Sequence, residues 1–298
     1  MDLHFNVAEQ TYCISFVDEQ FPHEKFLQSS APFRVEPTER EVMFRLSVGE
    51  NLVDDNVAEL EELGHFDSGD TCHHVWRKPD GGYKILIENF THVIAARLEC
   101  TFDFKQCKVS LFGSQADQYF GLENSIMIAY AFAGAQHRLV LIHASVPMKD
   151  GKAYMFQGHS GTGKSTHSKL WLTHLDGIEL LNDDNPVVRV DASGKVYTYG
   201  TPWSGKTPCY RQIRCESGGF LRLHQAPHNK IRRFSKLEAF ASVLASCSTM
   251  KWDKFSYNAI CDTVSAIAAT VPAYDLECLP NQEAAELSHQ TMTQGYGN

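Results

Sequence analysis

Through the first third of the chain, apolar and polar positions alternate with the period of two expected of half-buried strands. Beyond that they give way to compact apolar runs and helical repeats. Val42 to Val48 alternates cleanly and predicts a strand. Cys72 to Lys78 and Tyr83 to Glu88 flank Pro79-Asp80-Gly81-Gly82, a turn sequence that predicts a hairpin. Val93 to Phe104 and Lys108 to Phe112 predict a further strand pair. Between these, residues 50 to 69 are acidic and poor in strand formers, which predicts a loop with at most one helical turn. No internal repeat or low-complexity stretch interrupts the pattern.

The texture changes near residue 118. Tyr119 to Gln136 reads as a helix, Leu139 to Val146 as one buried strand, and Ala153 to Gln157 as a second after the turn at residues 149–152. A glycine-rich loop follows, then a helix from Lys164 to Leu175. Strands are expected at Ile178 to Leu181, Pro186 to Asp191 and Val196 to Tyr199, and helices at Ser235 to Cys247 and Trp252 to Thr270. A strand at Ala273 to Cys278 and a helix at Gln282 to Met292 close the series. The expectation is a mixed α/β nucleotide-binding domain over residues 118–298, preceded by a β-rich region over residues 1–117.

Composition narrows the function classes. The chain has 298 residues, 27 basic and 36 acidic, for a net charge of −9. That balance argues against a general nucleic-acid binder, which needs a cationic face. The nine cysteines are dispersed with no C-x-x-C, and the first ten residues have neither a basic nor an apolar leader region. A reducing cytoplasm is therefore expected, with no disulfide framework. The longest apolar stretch, Ser125 to Ala135, is too short to cross about 30 Å of hydrocarbon, so no membrane partner is expected.

The chemistry concentrates after residue 140. Gly158-His159-Ser160-Gly161-Thr162-Gly163-Lys164-Ser165 fits G-x-x-x-x-G-K-[ST] at every fixed position. Glycines let backbone N–H groups curl around a phosphate, and the following helix points its positive end at it. Lys164 is placed to reach the β- and γ-phosphates and Ser165 to offer a hydroxyl to Mg2+, with Thr166 beside it. Asp183 and Asp184, at the end of an expected strand, are the acidic partners. Two adjacent carboxylates repel unless a cation or a proton lies between them. One can hold Mg2+ while the other accepts a proton from an attacking hydroxyl. The plain alternative is a solvated turn, because Asn182-Asp183-Asp184-Asn185 is good turn sequence. His143, ending an apolar run, is a third candidate, facing the γ-phosphate or a second metal. By itself, such a histidine is more often a core residue.

Taken together, His143-Ala144-Ser145, the loop and Asp183-Asp184 resemble the HPr kinase and phosphoenolpyruvate carboxykinase superfamily. The resemblance implies a P-loop fold with a mixed sheet in place of an all-parallel one. The Ser160 to Lys164 core is similar to the carboxykinase loop, and His143-x-Ser145 to a segment whose histidine is a metal ligand there. It implies Asp183 as the base and Asp184 as a metal ligand. Tyr199 to Gly205, Phe220-Leu221, Asn229-Lys230-Ile231 and Val271 to Leu276 are similar to segments of HPr-kinase-like proteins, some associated with peptide maturation. The likeness spans about residues 138 to 293. The glycine-isoleucine-rich signature of HPr kinases and the basic oxaloacetate grip of carboxykinases have no counterpart here. HPr kinases form hexamers, but no interface signature in this sequence carries that property over, so a homo-oligomer is left open.

Three other constellations complete the reading. Thr201 to Lys206 could shape an acceptor pocket with Arg211, or be a connecting loop whose Trp203 caps the core. Lys230 to Arg233 is a basic cluster, either a solvated or helix-flanking face or a phosphate clamp. A zinc centre among His65, Cys72, His73 and His74 is not expected, because His73 and His74 would face opposite ways and no second ligand pair completes it. The leading expectation is an ATP- and Mg2+-dependent kinase, with Mn2+ an alternative ion, acting on a hydroxyl of a protein, peptide or small molecule. An ATP-binding sensor without transfer is the alternative, and a carboxykinase-type lyase the third reading.

Overall fold

The computed structural model describes residues 1–38, 40–52, 59–67, 71–205 and 207–294. The chain divides into two compact units, Met1–Gly134 and Ala135–Asn298. The protein is mixed α/β, with two large mixed sheets and a β-rich amino-terminal region.

The first unit is a nine-stranded sheet. Its strands are β1 (Asp2–Val7), β2 (Gln10–Phe16), β3 (Arg34–Val35), β4 (Arg45–Val48), β5 (Glu61–Asp67), β6 (Thr71–Arg77), β7 (Tyr83–Asn89), β8 (Ile94–Cys100) and β9 (Gln106–Leu111), in the order β3-β1-β2-β4-β9-β8-β7-β6-β5. Two helices accompany it, the short α1 (His23–Phe26) and the long α2 (Gln115–Gly134). The turn at residues 79–82 closes the expected hairpin between β6 and β7. There the Lys78 N–H donates to Gly82 at 2.8 Å, and Gly81 takes the left-handed conformation (φ +84°). Helix α2 lies against β7, β8 and β9, so the expected boundary after residue 117 falls inside an element of the first unit. Gly121 permits this approach, since a Cβ there would meet the Ala95 carbonyl oxygen at 2.6 Å.

The loop expected over residues 50–69 is partly a strand, β5; residues 53–58 and 68–69 lie outside the described part. Its acidic, weakly strand-forming composition is that of an outermost strand, where charge discourages pairing with another chain. Glu61 there pairs with Arg77 of β6 at 3.6 Å.

The second unit also has a nine-stranded sheet. It is built from β10 (Leu139–Leu141), β11 (Ala144–Lys149), β12 (Lys152–Gln157), β13 (Glu179–Asp184), β14 (Val187–Val190), β15 (Val196–Tyr199), β16 (Arg214–Gln225), β17 (Lys230–Arg233) and β18 (Ala273–Cys278). The order is β10-β14-β15-β16-β12-β11-β13, with β18 beside β16 and β17 beside β18. Strands β12, β16 and β18 run parallel, and β11 lies antiparallel between β12 and β13. The helices are α3 (Lys164–His174), α4 (Lys236–Ala245), α5 (Lys254–Thr270) and α6 (Gln282–Gln294). One apolar cluster joins the sheet to α4 and α5 through Val243, Ile260, Val264 and Ile267; another joins it to α3 and α6 through Trp171, Ala285 and Met292.

The single strand expected over Leu139 to Val146 is two strands, β10 and β11, interrupted at Ile142-His143. The register is nevertheless continuous: Leu141 lies opposite Val187 and Ala144 opposite Asp184. The interruption faces Pro186, which has no N–H to give to a ladder. The His143 N–H turns instead to the Ser246 carbonyl at 2.8 Å. The basic cluster at Lys230 to Arg233 is a mostly exposed strand, β17, that also flanks the start of the next helix; Arg232 pairs with Glu238 (2.8 Å) and Asp275 (3.4 Å).

Helix α3 is fixed to α6 by a buried polar triad. The Trp171 Nε1–H donates to Ser288 Oγ at 2.9 Å, and His167 Nε2 meets the same hydroxyl at 2.9 Å. Burial pushes the His167 imidazole down to about 4, so the folded chain holds it neutral. An unfolded chain binds that proton below about pH 6.5, so stability from this group is present at neutral pH and lost as pH falls toward 4. Between pH 7.5 and 5 the α3 amides should lose about 2 kcal/mol of protection against hydrogen exchange, corrected for intrinsic rates. The variant His167→Gln should show no such loss; an equal loss in both would remove His167 as its cause.

Candidate functional site

The glycine-rich loop joins the buried strand β12 to helix α3. Three of its glycines have left-handed φ values, +151° at Gly158, +79° at Gly161 and +108° at Gly163. Around Gly161 and Gly163 the space that a Cβ would take is open, so it is the left-handed backbone and not crowding that calls for glycine there. Gly163 caps α3 without any side-chain acceptor for the first-turn N–H groups. Those donors face outward at the positive end of the helix. His159, Ser160, Ser165 and Thr166 are exposed around this concavity. Thr162 ties the loop internally, its Oγ1 donating to the His159 carbonyl at 2.7 Å, and Gln225 of β16 donates to the Gly161 carbonyl at 3.2 Å.

Lys164 folds back over the loop, its Nζ donating to the carbonyls of Gly158 (3.0 Å) and His159 (3.3 Å). Burial lowers its ammonium below the ordinary lysine value, while the carboxylates of Asp184 and Asp183 pull the other way. The lysine and both acids therefore share one electrostatic neighbourhood.

Asp183 and Asp184 belong to β13 itself and not to a solvated turn. Asp183 lies opposite Ser145 of β11, which lies opposite Phe156 of β12. Ser145 Oγ meets Ser168 Oγ of α3 at 2.6 Å, so this is the face on which α3 packs. Asp183 is buried, and its Oδ1 has no hydrogen-bond partner among the described residues. A buried carboxylate oxygen left unpaired is costly unless it serves a ligand or a proton. Asp184 is half-exposed; its Oδ2 accepts from Asn185 Nδ2 at 2.8 Å, and its Oδ1 lies 3.4 Å from His143 Nε2. His143 is exposed at the strand interruption, which frees it from the core packing usual for a histidine after an apolar run.

The loop at residues 200–205 closes over the acid pair. The Gly205 N–H donates to the Asp183 carbonyl at 2.7 Å, and a Cβ at Gly205 would meet that oxygen at 2.8 Å. Trp203 is buried, and its carbonyl accepts from the side chain of Asn182 at 3.1 Å. Arg211 is engaged with Glu179 (2.6 Å) and the Leu180 carbonyl (2.8 Å), which leaves the core-capping reading of this loop as the better one. Lys206 lies outside the described residues.

Two contributors carry no signal in the sequence pattern. Gln157, the last residue of β12, is buried with neither its amide nitrogen nor its oxygen hydrogen-bonded among the described residues. It stands where the loop begins, opposite Ala144. Ser168, whose hydroxyl meets Ser145, looks in sequence like an ordinary helical serine.

The arrangement brings together a glycine-rich loop at a helix N-terminus, a lysine, a pair of carboxylates and an imidazole. Chemically it can hold a polyphosphate with a divalent cation and keep a buried carboxylate ready for a proton. Among the described residues no helix is long and apolar enough to cross a membrane. No protein-family model matches the chain, and no curated protein matches it.

Proposed function

We propose that the second unit is an ATP- and Mg2+-dependent kinase of the HPr-kinase-like class, transferring the γ-phosphoryl group to a hydroxyl of a protein, peptide or small molecule. The observation that carries this reading is the buried Oδ1 of Asp183, without a hydrogen-bond partner among the described residues, in the same electrostatic neighbourhood as Lys164 and the glycine-rich loop. Strand β11, antiparallel between β12 and β13, supports the mixed-sheet form of P-loop fold that the sequence resembles.

The residues fit a divalent ion: the Asp183 carboxylate oxygen left unbonded among the described residues, the half-exposed Asp184 and the exposed Ser165 hydroxyl are hard oxygen donors of the kind Mg2+ takes. Ser165 and Asp184 would hold it, with Asp183 beside them, and Mn2+ suits the same donors. When bound, the ion neutralises charge on the transferring phosphoryl group. The loop amides and Lys164 bind the phosphates and stabilise that charge as it develops. Asp183 accepts the proton of the acceptor hydroxyl, and burial keeps water from competing for it. His143, at 3.4 Å from Asp184, orients that carboxylate.

The test is incubation of the purified chain with γ-labelled ATP and Mg2+ against protein, peptide and small-molecule hydroxyl acceptors. A labelled, hydroxyl-linked product supports the kinase. ATP binding with no labelled product in any acceptor class would overturn it in favour of a nucleotide sensor.

A further inference from the structure

The outer edge of the first sheet brings together three of the four residues that the sequence spacing disfavours as a zinc centre. His65 of β5 lies directly opposite His74 of β6, and Cys72 lies two residues before His74 on the same face. His73 points to the other face, as the alternation requires. The Cys72 Sγ is 2.6 Å from His65 Nε2 and 3.6 Å from His74 Nε2, and the three atoms all lie within 4.8 Å of one another. The two imidazole rings stand 4.2 Å apart, centroid to centroid. On β7, Glu88 lies opposite Cys72, and its Oε1 is 3.7 Å from His74 Nε2.

We propose that His65 Nε2, Cys72 Sγ and His74 Nε2 bind a zinc ion, with the Glu88 carboxylate beside the fourth position. The geometry carries this. Bonds of about 2.3 Å to sulfur and about 2.0–2.1 Å to nitrogen give a tetrahedral S···N edge of about 3.6 Å. The Cys72–His74 edge has that length already. The Cys72–His65 edge is shorter, and His65 is exposed, so a turn of its ring against His74 can widen it. The donor set selects the ion: one thiolate with two imidazoles suits a borderline metal and not Mg2+ or Ca2+, which take oxygen. Cys72 is buried and His65 exposed, so the cluster reaches from the interior of the sheet to solvent. C-x-H on one strand with a histidine on its hairpin partner is a two-strand arrangement. A search for paired C-x-x-C or H-x₃₋₅-H spacings passes over it.

The site also has a mechanical meaning. Among the described residues, strand β5 is the outermost of the sheet and pairs only with β6. An ion bridging His65 to Cys72 and His74 fastens that strand to its neighbour.

The experiment measures zinc per chain by mass spectrometry after dialysis against a weak chelator, then titrates the zinc-stripped full-length chain with Co2+. The expected result is about one zinc per chain. The expected Co2+ complex has a thiolate-to-cobalt charge-transfer band and the strong visible bands of tetrahedral coordination. Cys72→Ser should abolish the charge-transfer band, and the exposed-site variant His65→Ala should weaken Co2+ binding at least about 100-fold. Cys278→Ser, at a cysteine of the other unit, should bind as the parent does. Circular dichroism on each variant separates loss of a ligand from loss of fold. A chain without zinc that gives no tetrahedral cobalt spectrum would overturn the proposal, as would an undiminished charge-transfer band in folded Cys72→Ser.

Discussion

Asp183→Asn should bind Mg-ATP within about threefold of the parent and transfer phosphate about 10³-fold more slowly, the size of effect that a lost general base produces. The substitution keeps the shape of the side chain and its pairing position opposite Ser145. It removes the single property the reaction requires, an oxygen able to take a proton. Asp183 Oδ1 accepts no hydrogen bond among the described residues, so the change removes no described contact of that atom, and unchanged circular dichroism would separate a lost base from a disturbed fold. The measurement is single-turnover transfer at saturating ATP, with binding followed separately by calorimetry. Full turnover in Asp183→Asn would show that the base lies elsewhere.

The second large effect is expected at Lys164. Lys164→Ala should weaken Mg-ATP binding about 100-fold, the consequence of losing one charge-assisted contact to phosphate in a half-buried setting. The parent lysine also ties down the loop through the Gly158 and His159 carbonyls, so the alanine variant loses both the charge and part of the loop's preorganisation. Lys164→Arg keeps the charge but cannot reproduce the point-like ammonium, and should recover only part of the affinity. Calorimetric affinity for Mg-ATP equal to the parent's in Lys164→Ala would mean that the loop does not receive the phosphates.

Much of this was legible in the sequence because its signals are local. The loop's glycines and lysine read directly, and Ser235 with Glu238 forms the capping box that begins α4 close to its expected start. The hairpin at Pro79 to Gly82 was equally plain. Strand β16 was not: Gly218 and Gly219 sit in its middle, where strand formers would be expected. They are there because a Cβ at Gly218 would meet the Tyr154 ring at 2.7 Å and one at Gly219 the Met292 methyl at 2.9 Å. Strand β5 was hidden by its acids, which suit its edge position. At the site, the aspartate pair was legible as residues but not as a strand, since Asn182-Asp183-Asp184-Asn185 has turn composition and only pairing with β11 overrides it. Gln157 and Ser168 are significant only through what surrounds them in space, and no spacing rule finds such residues.

The placement of β11 also bears on the order in which the chain assembles. Strands β11 and β12 meet across a tight turn, Met148 opposite Ala153, whereas β12 finds β16 only after some sixty intervening residues, Lys152 opposite Glu216. Closing the longer loop costs about 2 kcal/mol more in chain entropy. The hairpin, the glycine loop, α3 and β13 form one sequence-local block between Ala144 and Asp184, whereas the parallel centre of the sheet depends on distant partners. During synthesis, the glycine-rich loop and the acid pair can therefore take shape while the parallel strands that complete the sheet are still emerging.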